Sequence, residues 1–383
     1  MSVYLDHNAT TPIDSEVLDA MMPYLRDYHG NPASVHNYGR KARAGVEQAR
    51  EQVASLVKVH PRQVIFTSGG TESNNLALKG IAASKKVNAI AMSEIEHTSV
   101  IAPAQAMQKS GWMLDLIKAD SAGYVLPAAF ADVIRDETCL VSVMMANNET
   151  GVVQDVALIS DMARAHGITV HTDAVQAAGK IAIDFESTGA HMMSLSAHKL
   201  YGPKGVGALI VNKALELEPL IHGVGHEMGM RGGTENVAGI VGFGKAAELA
   251  VNNLEERTNH LSGLRRHLED GLHQMTGTVI VAEQSERISN TVCILVPGIE
   301  GETLLMNLDR TGIAVSSGSA CASGSTNPSH VLLAMGIDRE LARCAIRISL
   351  GKDNTQADVD IFLKNLRHEL ENIQTPELKA WAS

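Results

Sequence analysis

From about residue 60 to 212, short apolar, often β-branched runs alternate with segments whose apolar positions recur every three or four residues. The runs at 64–67, 88–92, 113–117, 139–145, 168–172, 192–195 and 206–211 predict strands. The intervening segments 72–83 and 156–166 predict helices, the second closed by Gly167 as a C-terminal cap. Such βαβ punctuation favours a mostly parallel sheet with helices on both faces and a functional site at the carboxyl ends of the strands. The flanks follow another pattern. Asp14 is placed to cap a helix carrying Val17, Met21, Leu25 and Tyr28 and closed by Gly30. A long helical stretch from about 242 to 275, a strand at 291–296 and an amphipathic tail helix predict a second, smaller α+β domain. The tail stripe is Val359, Phe362, Leu363, Leu366, Leu370 and Ile373, and the first dozen residues are expected to join that domain. Ser316 to Ser325 is rich in Ser, Gly and Ala and predicts a pliable loop.

Composition narrows the class of function. The 383 residues carry 32 Lys and Arg against 43 Asp and Glu, a formal charge of −11, with 45% hydrophobic residues. An acidic chain is a poor match for the phosphate backbone, so nucleic acid is not expected as a direct ligand. No apolar run approaches the ~20 residues of a membrane span, and the opening Met1-Ser-Val-Tyr-Leu-Asp-His7 lacks the basic and apolar regions of a signal peptide. Four scattered cysteines without a CxxC pair indicate neither a disulfide framework nor a zinc ribbon. A reducing cytoplasm is the expected compartment. His222 and His226 have the spacing of a helical metal pair, but Gly223 and Gly225 make a helix there improbable, and no metal site is expected.

Three constellations offer chemistry. Thr67-Ser-Gly-Gly-Thr-Glu-Ser-Asn-Asn75 follows a strand end, and the free N–H groups of a helix start at Gly70 and Thr71 would cradle an anion. An ordinary βα turn with a Thr cap accounts for the same residues equally well. In His171-Thr-Asp-Ala-Val-Gln176, Asp173 ends an apolar strand and wants a positive partner such as a protonated heterocyclic nitrogen, with Gln176 three residues on; a helix N-cap Asp is the bland alternative. In Ser194-Leu-Ser-Ala-His-Lys199, small and apolar neighbours would lower the pKa of the Lys199 amine and free it for Schiff-base chemistry, while Ser196 and His198 could donate to a phosphate. Anion cradle, acidic partner and amine are together the handles that a pyridoxal phosphate site requires.

The order of these segments carries a resemblance. With Tyr4-Leu-Asp-His-Asn-Ala-Thr-Thr-Pro12, Gly30-Asn-Pro-Ala-Ser-Val-His36, Ala146-Asn-Asn-Glu-Thr-Gly151, Arg231-Gly-Gly-Thr-Glu-Asn-Val237 and Ser316-Ser-Gly-Ser-Ala-Cys321, the chain resembles the cysteine desulfurases of the NifS/IscS type, in the class V aminotransferase family, over about residues 3–374. The resemblance implies the aspartate-aminotransferase-like fold (fold type I): a mostly parallel seven-stranded sheet in a large pyridoxal-phosphate-binding domain at 15–255, and a small α+β domain from 1–14 and 256–383 that carries a cysteine loop.

It also implies roles. Lys199 matches the lysine that holds pyridoxal 5'-phosphate, Asp173 the partner of the ring nitrogen, Gln176 the partner of the phenolic oxygen, and His97 the histidine that stacks on the ring and acts in acid–base steps. Gly70, Thr71, Ser196 and His198 match the phosphate cradle. Thr234 matches a phosphate ligand supplied from the neighbouring subunit, which implies a homodimer. Asn148, Arg347 and Asn8 match the groups around the substrate carboxylate. Cys321 matches the nucleophile that takes sulfur from L-cysteine as a persulfide and passes it to an iron–sulfur scaffold or another acceptor. Cys139, Cys293 and Cys344 are expected to be packing residues. Selenocysteine lyase or transaminase chemistry, and an idle docking scaffold, are the alternatives.

Overall fold

In the computed structural model the described residues are 2–86, 88–317 and 327–373. The strands, in chain order, are β1 (Val3–Tyr4), β2 (Val64–Thr67), β3 (Ala89–Ser93), β4 (Met113–Ile117), β5 (Thr138–Ser142), β6 (Thr169–Asp173), β7 (Met192–Ser196), β8 (Gly207–Val211), β9 (Val279–Ile280), β10 (Thr291–Leu295), β11 (Ile313–Ala314), β12 (Ser316–Ser317) and β13 (Ala345–Ser349). Strands β2 to β8 form a seven-stranded sheet in the order β2-β8-β7-β6-β5-β3-β4. Neighbours are parallel except at β8, which runs against both β2 and β7. All residues of β2, β3, β7 and β8 are buried, as continuous apolar runs should be when helices cover both faces. Edge strand β4 leaves Met113 and Leu116 exposed.

A second sheet, β12-β13-β10-β9, is antiparallel, and β1 pairs in parallel with β11. The start of the chain is therefore built into the C-terminal part of the fold. Val3 and Leu5 share a core with Leu261, Leu264, Leu268 and Leu272 of the Leu254–His273 helix and with the Gln356–Ile373 helix. The tail stripe is buried from Val359 to Leu370. Val281, Ile288, Cys293, Val331 and Leu332 turn the other way and join the core under the seven-stranded sheet.

Two predicted helices end differently from expectation. The first spans Ser15–Arg26 with Asp14 accepting from the Glu16 amide at 3.0 Å, but it stops at Asp27, short of Gly30. Tyr28 N–H bonds Pro23 O at 2.9 Å, which closes the last turn before the apolar period is complete. The stretch 242–275 is two helices, Val237–Asn252 and Leu254–His273, broken at Asn253, whose ψ of 13° departs from helical geometry. Among the described residues no helix is long and apolar enough to cross a membrane.

Phe362 is fully buried in the core that ties Val3 and Leu5 to the tail helix. Phe362→Ala should cost about 3–5 kcal/mol in chemical denaturation, from lost burial and the cavity left behind. A loss under about 1 kcal/mol would mean that this core does not hold the two chain ends together.

Candidate active site

The carboxyl ends of β2, β3, β5, β6 and β7 open onto one cavity of about 310 Å³. Strands β6 and β7 contribute their own last residues, Asp173 and Ser196, and the segments that follow β2, β3 and β5 supply Thr71, His97 and Asn148 because the chain leaves the sheet at that edge. Strand β6 ends in Asp173, buried, with Oδ2 accepting from Asn74 Nδ2 at 2.7 Å and Oδ1 from the Val175 amide at 2.9 Å. Strand β7 ends in Ser196, and a 3-10 turn, Ala197–Lys199, swings Lys199 into the cavity wall. Its Nζ donates to the carbonyls of Asn8 and Ala9, at 2.6 Å each.

The anion cradle follows β2. The Gly70–Ala83 helix begins without a side-chain cap, so its first N–H groups face the cavity at Gly70 and Thr71. Close approach requires glycine here: a Cβ on Gly70 would sit 2.8 Å from Val175 Cγ2, and one on Gly207 of β8 would sit 2.7 Å from the Gly69 backbone. The buried Ser196 hydroxyl has no partner among the described residues, and His198 lies beside it with Nδ1 3.1 Å from Thr10 Oγ1. Burial, with Lys199 and Lys204 nearby, lowers the His198 pKa to about 4.

His97 both lines the cavity and caps the Thr98–Lys109 helix, with Nδ1 2.7 Å from Ser99 Oγ and 3.1 Å from the Ser99 amide. Burial pulls its pKa below the ordinary imidazole value; Asp173 opposes this, while Lys199, His330 and Arg347 reinforce it.

Opposite the cradle, Arg347 sits on β13, an interior strand of its sheet, with only 3% of its surface exposed, so it is not an edge-strand surface charge. Nη1 donates to Asn148 O at 3.0 Å and Nη2 pairs with Asp6 Oδ1 at 2.7 Å, while Nε has no partner among the described residues. Asn148 and Asn8 line the same cavity, as does Gln176. The Asn8 carboxamide is taken up internally: Nδ2 donates to Thr291 Oγ1 at 2.8 Å and to Asn148 O at 3.2 Å.

Thr234 is exposed and does not line this cavity. Cys321 lies outside the described residues. The described residues flanking its segment are near the cavity walls. Ser316 pairs with Arg347, and the Ser329 hydroxyl hydrogen-bonds the buried carboxyl of Glu149, whose pKa burial raises to about 7. Cys293 is buried, its pKa raised to about 12 by burial, and Cys139 and Cys344 are half-buried.

Three groups were not singled out from the sequence. Asn74 supports Asp173, Ser99 supports His97, and Lys180 is buried with its amine against Gln176. Asn74 follows Gly70 by one helical turn, a spacing that aims it at the same cavity. Nothing local marks Lys180 as buried.

These residues fit pyridoxal phosphate on structural grounds. The unpartnered Ser196 hydroxyl and the uncapped helix start suit a phosphate, a buried carboxylate at a strand end suits a ring cation, and Lys199 is an amine in the wall of the same cavity. A family profile, Aminotransferase class-V, matches residues 3–362. The chain belongs to the class-V aminotransferase family. It is a pyridoxal-phosphate-dependent family. A relative from Dictyoglomus turgidum named cysteine desulfurase IscS is 41% identical over 99% of this chain and 98% of its own length. One of the same name from Clostridium botulinum is 44% identical over 95% and 93%. Among solved structures, one titled a NifS-like protein superposes with a TM-score of 0.91 at 40% identity, over 97% of this chain and all of that one. Another, titled SspA in complex with cysteine, gives 0.82 at 33% identity, over 92% of this chain and all of that one.

Strand β6 also carries a histidine two residues before Asp173. His171 is fully buried, with its ring nitrogens 2.9 Å from Ser142 Oγ and 3.0 Å from Ser194 Oγ, and burial lowers its pKa to about 4. An unfolded chain, with an ordinary histidine near 6.5, binds the extra proton first, so this contribution to stability is lost as pH falls from about 6.5 to about 4. Denaturation at pH 7 and pH 4.5 should show the stability gap between wild type and His171→Asn narrowing by on the order of 2–3 kcal/mol at the lower pH. A pH-independent gap would mean that His171 does not stay neutral in the folded state.

Proposed function

We propose that this chain is a pyridoxal-phosphate-dependent cysteine desulfurase, taking sulfur from L-cysteine, releasing L-alanine and holding the sulfur as a persulfide on Cys321. The observation that carries this reading is a single cavity that places an amine, a buried carboxylate, an anion cradle and a buried guanidinium around one small-molecule volume. Two relatives covered almost end to end are named cysteine desulfurase, and a structural neighbour is titled as holding cysteine.

In this reading, bound pyridoxal phosphate supplies an electron-accepting ring that stabilises negative charge at the substrate α-carbon. The side chains do the rest. Gly70, Thr71, Ser196 and His198 hold the phosphate, Asp173 keeps a proton on the ring nitrogen, and Gln176 donates to the phenolic oxygen. Lys199 anchors the cofactor and moves the α-proton. His97, neutral near pH 7, serves as a second acid–base group beside it. Arg347 has an N–H to spare at Nε and, with Asn148, fixes the substrate carboxylate, so that orientation is set before proton transfer. Cys321 attacks the substrate sulfur as the thiolate, the S–S bond of the persulfide forms as the substrate Cβ–S bond breaks, and the electron pair of that bond stays with carbon, which takes up a proton on the way to alanine. Ser316 beside Arg347, and Ser329 bonded to Glu149, bring the flanks of the Cys321 segment to the cavity, which supports this assignment.

Sulfur then passes to an acceptor protein, which we propose is a scaffold for iron–sulfur cluster assembly, in the cytoplasm. We propose a homodimer as the working unit, with Thr234 serving the neighbouring site. Its exposure, and the exposed apolar Ile221, Val224 and Met228 on the same segment, support that reading.

Two variants separate cofactor chemistry from sulfur transfer. Cys321→Ala should keep the visible absorption of the bound cofactor and lose alanine production from L-cysteine by about 100-fold or more, whereas Lys199→Ala should lose both. Full turnover in Cys321→Ala would overturn the desulfurase mechanism and favour a transaminase-like or lyase reaction.

A further inference from the structure

Lys180 is a buried amine with no acid partner among the described residues. It is 9% exposed, and the charged groups that act on it are Lys199 and Arg347, both cations. Its Nζ donates to Gln176 Oε1 at 2.7 Å and to Asn8 Oδ1 at 2.8 Å. A buried amine without an acid partner is costly, and an apolar side chain of similar length would fill the space without that cost. Its geometry shows what the amine does. An ammonium has only donors, so whichever end of a carboxamide faces it must be the oxygen.

Asn8 is oriented independently, because its Nδ2 is used by Asn148 O and Thr291 Oγ1 and its Oδ1 also accepts from Asn290 Nδ2 at 3.1 Å. Gln176 has fewer restraints. Its Oε1 faces Lys180 and its Nε2 donates to Asn8 O at 2.9 Å, leaving a second N–H on the side chain that lines the cavity. We infer that Lys180 is a positioning residue that locks the Gln176 carboxamide with its N–H side toward the cavity, so that the cofactor's anionic ring oxygen meets a donor and never a carbonyl. This rests on the pyridoxal phosphate reading above. Burial, with Lys199 and Arg347 beside it, holds the Lys180 pKa well below the ordinary lysine range, and in either protonation state the amine retains two N–H groups for its two acceptors.

The test is a pH titration of the visible absorption of cofactor-loaded wild type, Lys180→Met, Gln176→Met and the double variant. Asp173, His97, His198, Lys199 and Arg347 also face the cavity and are the same in all four proteins. Losing a donor to the anionic oxygen should raise the midpoint by about one pH unit in each single variant. Because Lys180 acts through Gln176, the double variant should move no further than Gln176→Met alone. Lys180→Gln, which keeps an N–H donor, should recover at least about half of the shift, and Lys180→Leu carries the donor-removal comparison if Lys180→Met does not fold.

A midpoint unmoved in Lys180→Met, or in Lys180→Leu in its place, or a Lys180 shift that persists in full in the Gln176→Met background, would overturn the inference. The second result would mean that the amine acts by its charge alone. Wild type that takes up the cofactor without any visible band would instead refute the pyridoxal phosphate reading, and this inference with it.

Discussion

Asn8 holds the two halves of the molecule to one another, and the geometry of the cavity follows from that contact. Its backbone N–H donates to Ser349 Oγ at 2.9 Å, and its carbonyl accepts from both Lys199 and Gln176. Its side chain bonds Asn148, Thr291, Asn290 and Lys180. One residue near the chain start thus touches the loop after β5, the turn after β6, the turn after β7, and strands β10 and β13. Buried polar groups must be paired, so this network has few alternative arrangements. The side chains around the cavity are held by partners from distant parts of the chain.

The same constraint explains how charge is managed. Asp173 takes N–H donors from Asn74 and Val175, and Glu96, buried nearby, accepts from the Met144 amide at 2.6 Å. Burial and the neighbouring Asp173 push the Glu96 pKa well above the usual carboxylate range, so two adjacent acids need not both be charged. Arg347 is paired with Asp6 at 2.7 Å, while Lys180 has no acid partner among the described residues. The polar interior is an arrangement of donors and acceptors in which Asp173 and Arg347 line one cavity.

Much of this was legible in the sequence. Continuous apolar runs separated by helix-period segments identify a buried, mostly parallel sheet, and the strand ends at Thr67, Asp173 and Ser196 share one edge because chain direction alone places them there. What was not legible depends on contacts distant in sequence. Arg347 has the local setting of a surface charge, and only the pairing of β13 between β12 and β10 buries it. Lys180 looks like an ordinary turn lysine until Asn8, 172 residues away, meets it. Helix ends were missed for a local reason, since Tyr28 and the residues after Asn253 continue an apolar period that the backbone hydrogen bonds do not follow.

The central claim is that this site removes sulfur from L-cysteine and that Cys321 receives it. Mass spectrometry of the cofactor-loaded protein after brief exposure to L-cysteine, with the added sulfur mapped by peptide and alanine assayed in the same tube, tests it most directly. The account predicts one extra sulfur atom on the Cys321 peptide and a matching amount of alanine. Alanine without sulfur on that peptide, or neither product, would contradict it.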